Sequence, residues 1–259
     1  MSKLISIITP TFNSINTLEE CILSVKNQGN FVEHIIIDGG SKDGTVELLK
    51  KYEKSYKLIW ISEKDKGITD AMNKGFAMAH GEIFSWLDAD NYFQNGIINE
   101  ITEIFEKNND IDVVYGNINL IDNQGNNQGI YKPPSDISFK TALIKTSGGV
   151  PAQPGVFFKR DLYLKTGGFS LEYRVAGDIE FWMKALRENP KLYYYNQIIG
   201  SYRLEEKANS QSLSGVLDGL REMRKIYKEF HQPLYAKLLL IKKYFGGYFR
   251  IVIKKYLKK

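Results

Sequence analysis

Five short apolar runs rich in Ile and Val mark the first half of the chain. They lie at residues 4–8, 34–37, 58–61, 83–87 and 112–115, and each of the first four is followed by a polar loop and a segment with helical periodicity. Their length is that of strands buried on both faces of a sheet. The alternation predicts an α/β fold with a mainly parallel central sheet and helices on both faces.

The segments between these runs carry signals for helix starts. Asn16 or Thr17 can cap the first helix, and apolar spacing predicts later helices over residues 68–79 and 97–105. Residues 118–147 are instead rich in Asn, Gln, Gly and Pro. That composition predicts a hairpin or an exposed loop.

A chain of 259 residues with 43% hydrophobic content can bury one sizeable core and carry an appendage. We therefore expect one domain over residues 1–210 and a helical extension over residues 211–259. The single cysteine, Cys21, follows an apolar helical pattern and is expected in the core. No signal peptide and no apolar run long enough to span a bilayer are found, which favours a cytoplasmic location.

The predicted extension ends in a basic amphipathic tail. Residues 231–259 contain no Asp or Glu, and the tail holds much of the Lys and Arg excess behind the formal net charge of +5. Its aliphatic and aromatic clusters alternate with Lys, which favours a helical tail, broken at Gly246-Gly247, on an anionic membrane surface. Packing on the chain's own core or on a second subunit, as in a homodimer, is the alternative. A nucleic acid is not indicated as a partner, because bulky aliphatics separate the basic residues.

Polar residues follow several of the predicted strands at the edge where parallel sheets bind ligands. They include Thr11, Asp38, Asp88 and Asp90. The last two flank the small Ala89, so both carboxylates can reach one hard cation such as Mg²⁺ or Mn²⁺, which binds one or two protein carboxylates together with substrate phosphates. Alone, this pattern is more often a capping turn after a strand.

Several further motifs occur in a fixed order with this pair of acids. The motifs are residues 10–13 (PTFN), 37–45 (IDGGSKDGT), 66–75 (KGITDAMNKG), 81–82 (GE), 87–91 (LDADN), 154–160 (PGVFFKR), 167–169 (GGF) and 177–182 (GDIEFW). In this order they resemble the family 2 glycosyltransferases of the GT-A fold. The resemblance covers roughly residues 3–205 and implies a Rossmann-like nucleotide-diphospho-sugar transferase domain.

The resemblance also implies residue roles in an inverting, metal-dependent displacement. Asp178 would be the catalytic base, and Asp88 and Asp90 would bind Mn²⁺ or Mg²⁺, with Asp90 as the main ligand. An N-cap role for Asp178, or Glu180 as the base, are the alternatives. The residues implied to bind the nucleotide sugar are Pro10, Thr11, Phe12, Asp38, Lys66, Asp70, Asp88, Ala89 and Arg203.

Three of these residues have alternative interpretations. Lys66 and Asp70 fit either a substrate contact or a purely local role, and Arg203 fits either the diphosphate or a surface salt bridge. The chain also has Gly39 where many members carry a second acid beside Asp38, and one of that pair commonly reads the uracil ring. A UDP-sugar is the expected donor, although this motif does not fix the base.

The resemblance implies that the chain adds single sugars in surface polysaccharide biosynthesis, such as O-antigen or capsule. The basic tail leads us to expect a lipid-linked glycan acceptor, such as one on undecaprenyl diphosphate. The chain's place would be the inner face of the cell membrane, bound peripherally through the tail. A nucleotidyltransferase is the alternative enzyme, but a Gly- and Arg-rich phosphate loop is missing near the first strand. A non-catalytic sugar-nucleotide-binding scaffold would be expected to lack Asp90 or Asp178, and both are present.

Overall fold

The computed structural model describes residues 4–29, 31–145, 149–204 and 213–230. Within them the chain forms nine strands and eight helices. The strands are β1 (Ile5–Thr11), β2 (Val32–Asp38), β3 (Leu58–Ser62), β4 (Ile83–Trp86), β5 (Tyr92–Phe93), β6 (Val113–Ile121), β7 (Asn127–Tyr131), β8 (Val156–Lys159) and β9 (Leu192–Arg203). The helices are α1 (Leu18–Lys26), α2 (Thr45–Tyr52), α3 (Ile68–Met78), α4 (Ile97–Lys107), α5 (Phe139–Lys145), α6 (Arg160–Thr166), α7 (Gly177–Arg187) and α8 (Leu213–Glu229).

The strands form one sheet in the order β3-β2-β1-β4-β8-β6-β9-β5, and β7 pairs with β6. The pairs among β1, β2, β3 and β4 are parallel, as the alternation of strands and helices predicted. The other half is mixed, since β8 is antiparallel to β4 and β6 whereas β9 is parallel to β6. Short connections such as the β6–β7 turn can join only antiparallel strands, whereas a parallel pair needs a longer crossover.

The five predicted strands are confirmed as β1, β2, β3, β4 and β6, but the last is longer than expected. It continues to Ile121 and turns back as β7, so the hairpin interpretation of this segment is the right one. The Asp122 carboxylate closes the turn by accepting hydrogen bonds from the backbone amides of Gln124 and Asn126, both at 2.9 Å. Thr17 does precede α1, but its side chain makes no capping hydrogen bond.

Two apolar clusters cover the two faces of the sheet. One contains buried residues of α1, α2 and α4, including Cys21, which is fully buried as predicted. The other contains buried residues of α3, α5, α6, α7 and α8. Helices on both faces are the arrangement that a sheet with parallel central strands requires, because each such strand is apolar on both sides.

The helix α8 begins the predicted C-terminal extension, and it packs against the sheet domain. Its Met223, Ile226 and Tyr227 are buried in the same cluster as Phe181 and Trp182 of α7. The basic tail over residues 231–259 lies outside the described residues. In the part of the chain that is described, no helix has the length and apolar character needed to cross a membrane.

Candidate active site

The strand register brings the polar strand ends together at one edge of the sheet. Thr11 pairs with Asp38 across β1 and β2, and Ile8 pairs with Trp86, two residues before Asp88. Thr11 Oγ1 and Asp88 Oδ1 are both buried, and neither has a hydrogen-bond partner among the described residues. Buried polar atoms are rarely left unpaired in folded proteins, so this edge has the character of a ligand site.

Asp38 builds the loop that follows β2. Its side chain is fully buried, and it accepts hydrogen bonds from the backbone amides of Gly40 (3.1 Å) and Ser41 (3.0 Å). The hydroxyls of Ser41 and Ser62 also donate to it, the latter at 2.6 Å. Asp38 therefore shapes the corner where β1, β2 and β3 end.

The loop after β1 presents an aromatic ring to solvent. Phe12 is 62% exposed, while Pro10 and Thr11 are buried behind it. Asn13 has a positive φ of 51°. Its backbone amide donates a hydrogen bond to Ser41 Oγ at 2.7 Å, which fixes the loop. An exposed ring on a fixed loop can stack against a planar ligand.

Asp88 and Asp90 flank the buried Ala89 in the turn after β4, which is closed by a hydrogen bond of 3.0 Å from Asn91 N to Asp88 O. Arg203 lies behind this turn with only 6% of its surface exposed, so it is not a surface salt bridge. Its Nε donates to Asp90 O at 3.0 Å, and its backbone amide donates to Asn91 Oδ1 at 2.9 Å.

The rest of the Arg203 guanidinium is also bound to protein. Nη1 donates to the carbonyl oxygens of Asp122 (3.0 Å) and Asn123 (3.3 Å), and Nη2 pairs with Glu20 Oε2 at 2.5 Å. These bonds connect the β6–β7 turn, α1 and the Asp88–Asp90 turn. The structure thus places Arg203 where it supports the acidic turn from behind.

Three acids at this edge are close enough for two of them to affect the third electrostatically. Desolvation, followed by the negative charges of Asp90 and Asp178, raises the pKa of Asp88 to about 7. Like charges that raise the pKa of a buried carboxyl group are typical of functional sites. The structure therefore brings together the two predicted metal ligands and the predicted base, which lie 88 residues apart in the chain at Asp90 and Asp178.

The Asp88–Asp90 turn fits a divalent cation. Within the described residues no group of three or more His, Cys, Asp or Glu side chains is arranged to hold a metal. The unpaired buried oxygen of Asp88 and the repulsion from Asp90 are nevertheless the conditions that a cation would relieve. Mg²⁺ and Mn²⁺ sites of this kind use one or two carboxylates and complete the shell with phosphate oxygens and water.

Asp178 lies in the first turn of α7, whose N-cap is Ala176, so the alternative N-cap role for Asp178 is wrong. The helix start packs closely on α3, because a Cβ added to Gly177 would lie 2.6 Å from Thr69 Cγ2. The Asp178 side chain is exposed to solvent, yet the protein around it is dense enough that desolvation raises the pKa of its carboxyl group. Such a solvent-facing carboxylate can accept a proton from a bound hydroxyl.

Glu180, the alternative base, forms an ion pair within α7. It is buried, and its Oε1 pairs with Lys184 Nζ at 3.0 Å. Lys184 also donates to Gly168 O at 2.6 Å. The pair therefore links α7 to the loop after α6.

Glu222 of α8 anchors the segment that leads into α7, a contact that no sequence motif predicted. Its carboxylate accepts hydrogen bonds from three consecutive backbone amides, those of Arg174 (2.9 Å), Val175 (2.9 Å) and Ala176 (2.8 Å). Asp178 follows two residues later. The position of the predicted base thus depends on a helix outside the motifs that suggested it.

Lys66 and Asp70 make local contacts at the start of α3. Asp70 Oδ2 accepts a hydrogen bond from the Lys66 backbone amide at 3.1 Å and lies 3.3 Å from Lys74 Nζ. The Lys66 hydrogen bond is the largest cause that lowers the pKa of Asp70. Lys66 itself is exposed.

The fold is the GT-A fold of nucleotide-sugar transferase structures. It superposes on S. aureus TarS 1-349 in complex with UDP-GlcNAc with a TM-score of 0.69 at 18% identity, covering 86% of this chain and 66% of that one. It also superposes on the mannosyltransferase PcManGT of Pyrobaculum calidifontis in complex with GDP-Man and Mn²⁺, with a TM-score of 0.64 at 17% identity, covering 87% and 65%. The chain spans 39% of the longer TarS structure.

Sequence comparison defines the family. The model of glycosyl transferase family 2 matches residues 6–166. The chain is 30% identical over 186 residues to the uncharacterized glycosyltransferase Rv1514c of Mycobacterium tuberculosis, covering 70% of this chain and 68% of that one. It is 27% identical over 208 residues to a PGL/p-HBAD biosynthesis glycosyltransferase of Mycobacterium bovis, covering 78% and 77%. The chain belongs to glycosyl transferase family 2.

Proposed function

We propose that this glycosyltransferase inverts the anomeric centre of a UDP-sugar as it transfers one sugar to an acceptor hydroxyl. The observation that carries the proposal is the convergence of three acids, in which Asp90 and Asp178 both raise the pKa of Asp88. Carboxylates have two uses in such a reaction. One carboxylate takes a proton from the acceptor hydroxyl, and the other two hold a metal ion at the diphosphate.

In the proposed mechanism Asp178 acts on the acceptor. Its carboxylate takes the proton of the acceptor hydroxyl while that oxygen forms a bond to the anomeric carbon. The bond between the anomeric carbon and the diphosphate oxygen breaks in the same step, and the nucleoside diphosphate leaves with the electron pair. A positioned base contributes about a hundredfold to ten-thousandfold to the rate.

Asp88 and Asp90 would hold Mn²⁺ or Mg²⁺ at the leaving group. When bound, such an ion neutralises negative charge on the diphosphate. Arg203 supports this role indirectly, since its hydrogen bond to Asp90 O fixes the turn that carries both acids. Support for the metal comes from the acidic turn and from the presence of Mn²⁺ in the PcManGT complex.

The proposed donor is a UDP-sugar. The TarS structure with UDP-GlcNAc supports this choice, and the PcManGT structure with GDP-Man makes a GDP-sugar the alternative to test. Thr11, Phe12, Asp88 and Ala89 lie at the sheet edge where the nucleotide would bind, with Lys66 and Asp70 at the start of α3 beside it.

The decisive experiment measures transfer and hydrolysis with UDP-, GDP- and dTDP-sugars, with Mn²⁺ or with EDTA. We expect turnover of a UDP-sugar that EDTA and Asp90→Ala both abolish. Asp161→Asn is the matched control, because Asp161 is an exposed acid in the first turn of α6, away from the site. Release of sugar 1-phosphate instead of a nucleoside diphosphate would show transfer of the nucleotidyl group and identify a nucleotidyltransferase, and binding without turnover would identify a scaffold.

We further propose a lipid-linked glycan acceptor, for example on undecaprenyl diphosphate, in O-antigen or capsule synthesis at the inner face of the membrane. The support is the basic amphipathic sequence of the tail over residues 231–259. Full-length protein is expected to float with anionic vesicles, and protein that ends at Tyr235 is expected to remain in the soluble fraction. Equal flotation of the two forms would disprove the membrane role, and a shift from dimer to monomer on truncation would assign the tail to a subunit contact.

A further inference from the structure

Asp65 and Phe12 adjoin each other over Gly39. The loop between β3 and α3 crosses the end of β2, and its course is fixed by a hydrogen bond of 2.9 Å from Glu63 N to Asp38 O. A Cβ added to Gly39 would lie 2.8 Å from Asp65 Oδ2 and 3.3 Å from Phe12 Cδ2. The carboxylate and the aromatic ring therefore lie side by side against Gly39, so closely that a side chain at position 39 would collide with the carboxylate.

One oxygen of Asp65 is used to hold the side chain, and the other is not. Oδ1 accepts a hydrogen bond from Gly67 N at 2.9 Å. No donor to Oδ2 is found in the described part of the chain, and the residue is half-buried. Asp65 thus presents a fixed acceptor to the space beside Phe12.

The other acids at this corner cannot take that role. Asp38 is fully buried and accepts hydrogen bonds from Gly40, Ser41 and Ser62 on both of its oxygens. Asp43 accepts hydrogen bonds from Ile15 N on Oδ2 and from Thr45 on Oδ1. A ligand at the ends of β1 and β2 would therefore meet the open oxygen of Asp65.

An exposed ring beside a fixed acceptor suits a planar heterocycle. The ring of Phe12 is 62% exposed and can stack on one face of the ligand. Asp65 Oδ2 can then accept a hydrogen bond from a ring N–H at the ligand's edge. An ionised carboxylate can only accept hydrogen bonds, so it repels a ring nitrogen that presents a lone pair.

We propose that Asp65 determines base specificity by accepting a hydrogen bond from N3–H of uracil stacked on Phe12. This inference rests on the proposed function, because it assumes a UDP-sugar donor. Uracil carries a proton on N3, whereas neutral cytosine presents a lone pair at the same position. The carboxylate therefore favours uracil and disfavours cytosine.

The test is equilibrium binding, measured by calorimetry with Mn²⁺ present. UDP, CDP and N3-methyl-UDP are titrated into the wild type, Asp65→Asn, Asp65→Ala and Glu63→Gln, each first shown to be folded by thermal unfolding. Because a hydrogen bond to a charged group is involved, wild type should bind UDP about tenfold or more tightly than either analogue. Asp65→Asn should lose most of the preference for UDP over CDP, since an amide can donate as well as accept, and Asp65→Ala should bind UDP and N3-methyl-UDP equally.

Glu63→Gln is the matched control, because it removes one exposed negative charge from the same loop. It can alter the affinity for all three nucleotides but should keep their ratios. Wild-type ratios in both Asp65 variants, or equal binding of UDP and CDP by wild type, would overturn the inference while the transferase function stands. Failure of wild type to bind any of the nucleotides would overturn the proposed function, and the inference with it.

Discussion

The two halves of the sheet use their acidic residues in opposite ways. In the parallel half, Asp38 and Asp43 are bound to backbone amides and hydroxyls of their own loops. Where that half meets the mixed half, burial raises the pKa of Asp88, and on helix α7 desolvation raises the pKa of Asp178 although its side chain reaches solvent. The hydrogen bonds of Asp38 and Asp43 stabilise the fold. The raised pKa values of Asp88 and Asp178 instead lower stability and are typical of functional sites.

A second difference lies between the segment that the family model matches and the later residues that position the site. The family match ends at residue 166, before Asp178 and before Arg203 and Glu222. Yet Arg203 supports the Asp88–Asp90 turn, and Glu222 holds the segment that leads to Asp178. The C-terminal third therefore orders a site whose other acids, Asp88 and Asp90, come from the N-terminal half.

The largest effect is expected from Asp178→Asn. Loss of the base should lower kcat about a thousandfold, while the Kd for UDP stays within about twofold of wild type. Steady-state kinetics together with calorimetry separate these two quantities. A Kd that rises as steeply as kcat falls would contradict the assignment of Asp178 to the acceptor side.

The pH dependence of the wild type sharpens that prediction. Desolvation raises the pKa of Asp178 above the usual value for aspartate. Because a base must be ionised to act, kcat/KM should increase with pH through this raised pKa. The Asp178→Asn variant should lack this rise.

Asp38→Ala tests the structural use of an acid in the parallel half. It leaves the amides of Gly40 and Ser41 without their buried acceptor, so the free energy of unfolding should fall by about 3 kcal/mol. Urea denaturation measures this change, and Glu47→Ala on the exposed face of α2 is the control. A small loss of stability with a large loss of UDP affinity would instead assign Asp38 to the ligand.

Asp88→Asn is expected to stabilise the metal-free protein at about pH 8. A carboxyl group whose pKa is raised on folding binds its proton more tightly in the folded state, so its contribution to the free energy of unfolding falls as pH rises from about 4 to about 7. The variant should therefore gain on the order of 2 kcal/mol at about pH 8 and almost nothing at about pH 4. Chemical denaturation in EDTA measures both values. A variant that is less stable at about pH 8 would show that this acid serves the fold, as Asp38 does.

The smallest effect is expected from Glu222→Gln. A neutral amide holds the amides of residues 174–176 less tightly, so kcat should fall about tenfold while the Kd for UDP is unchanged. Asp218→Asn is the control, because Asp218 is an exposed acid on the same helix. An equal fall in the control, or a change in the Kd for UDP, would contradict a positioning role for Glu222.

The parallel half of the fold could be predicted from the sequence, because its signals are local. Short β-branched runs and amphipathic segments indicate which residues are buried, and they also indicate where the strands end. The short strands β5 and β8 were not predicted, since β5 has two residues and β8 four, with no alternating pattern. Their pairing depends on β9 and β4, which are remote in the chain.

The sequence by itself determined the α/β class and the family, and it predicted three acids for the site, because motif order and apolar periodicity are properties of the chain alone. Only the tertiary structure decided which acids accept hydrogen bonds from the protein on both oxygens and which have an oxygen with no donor among the described residues. Asp38 and Asp65 look equivalent in the sequence, but the first is enclosed by its own loop and the second faces Phe12 across Gly39. The physical reason is that desolvation and hydrogen-bond satisfaction depend on neighbours brought together by folding.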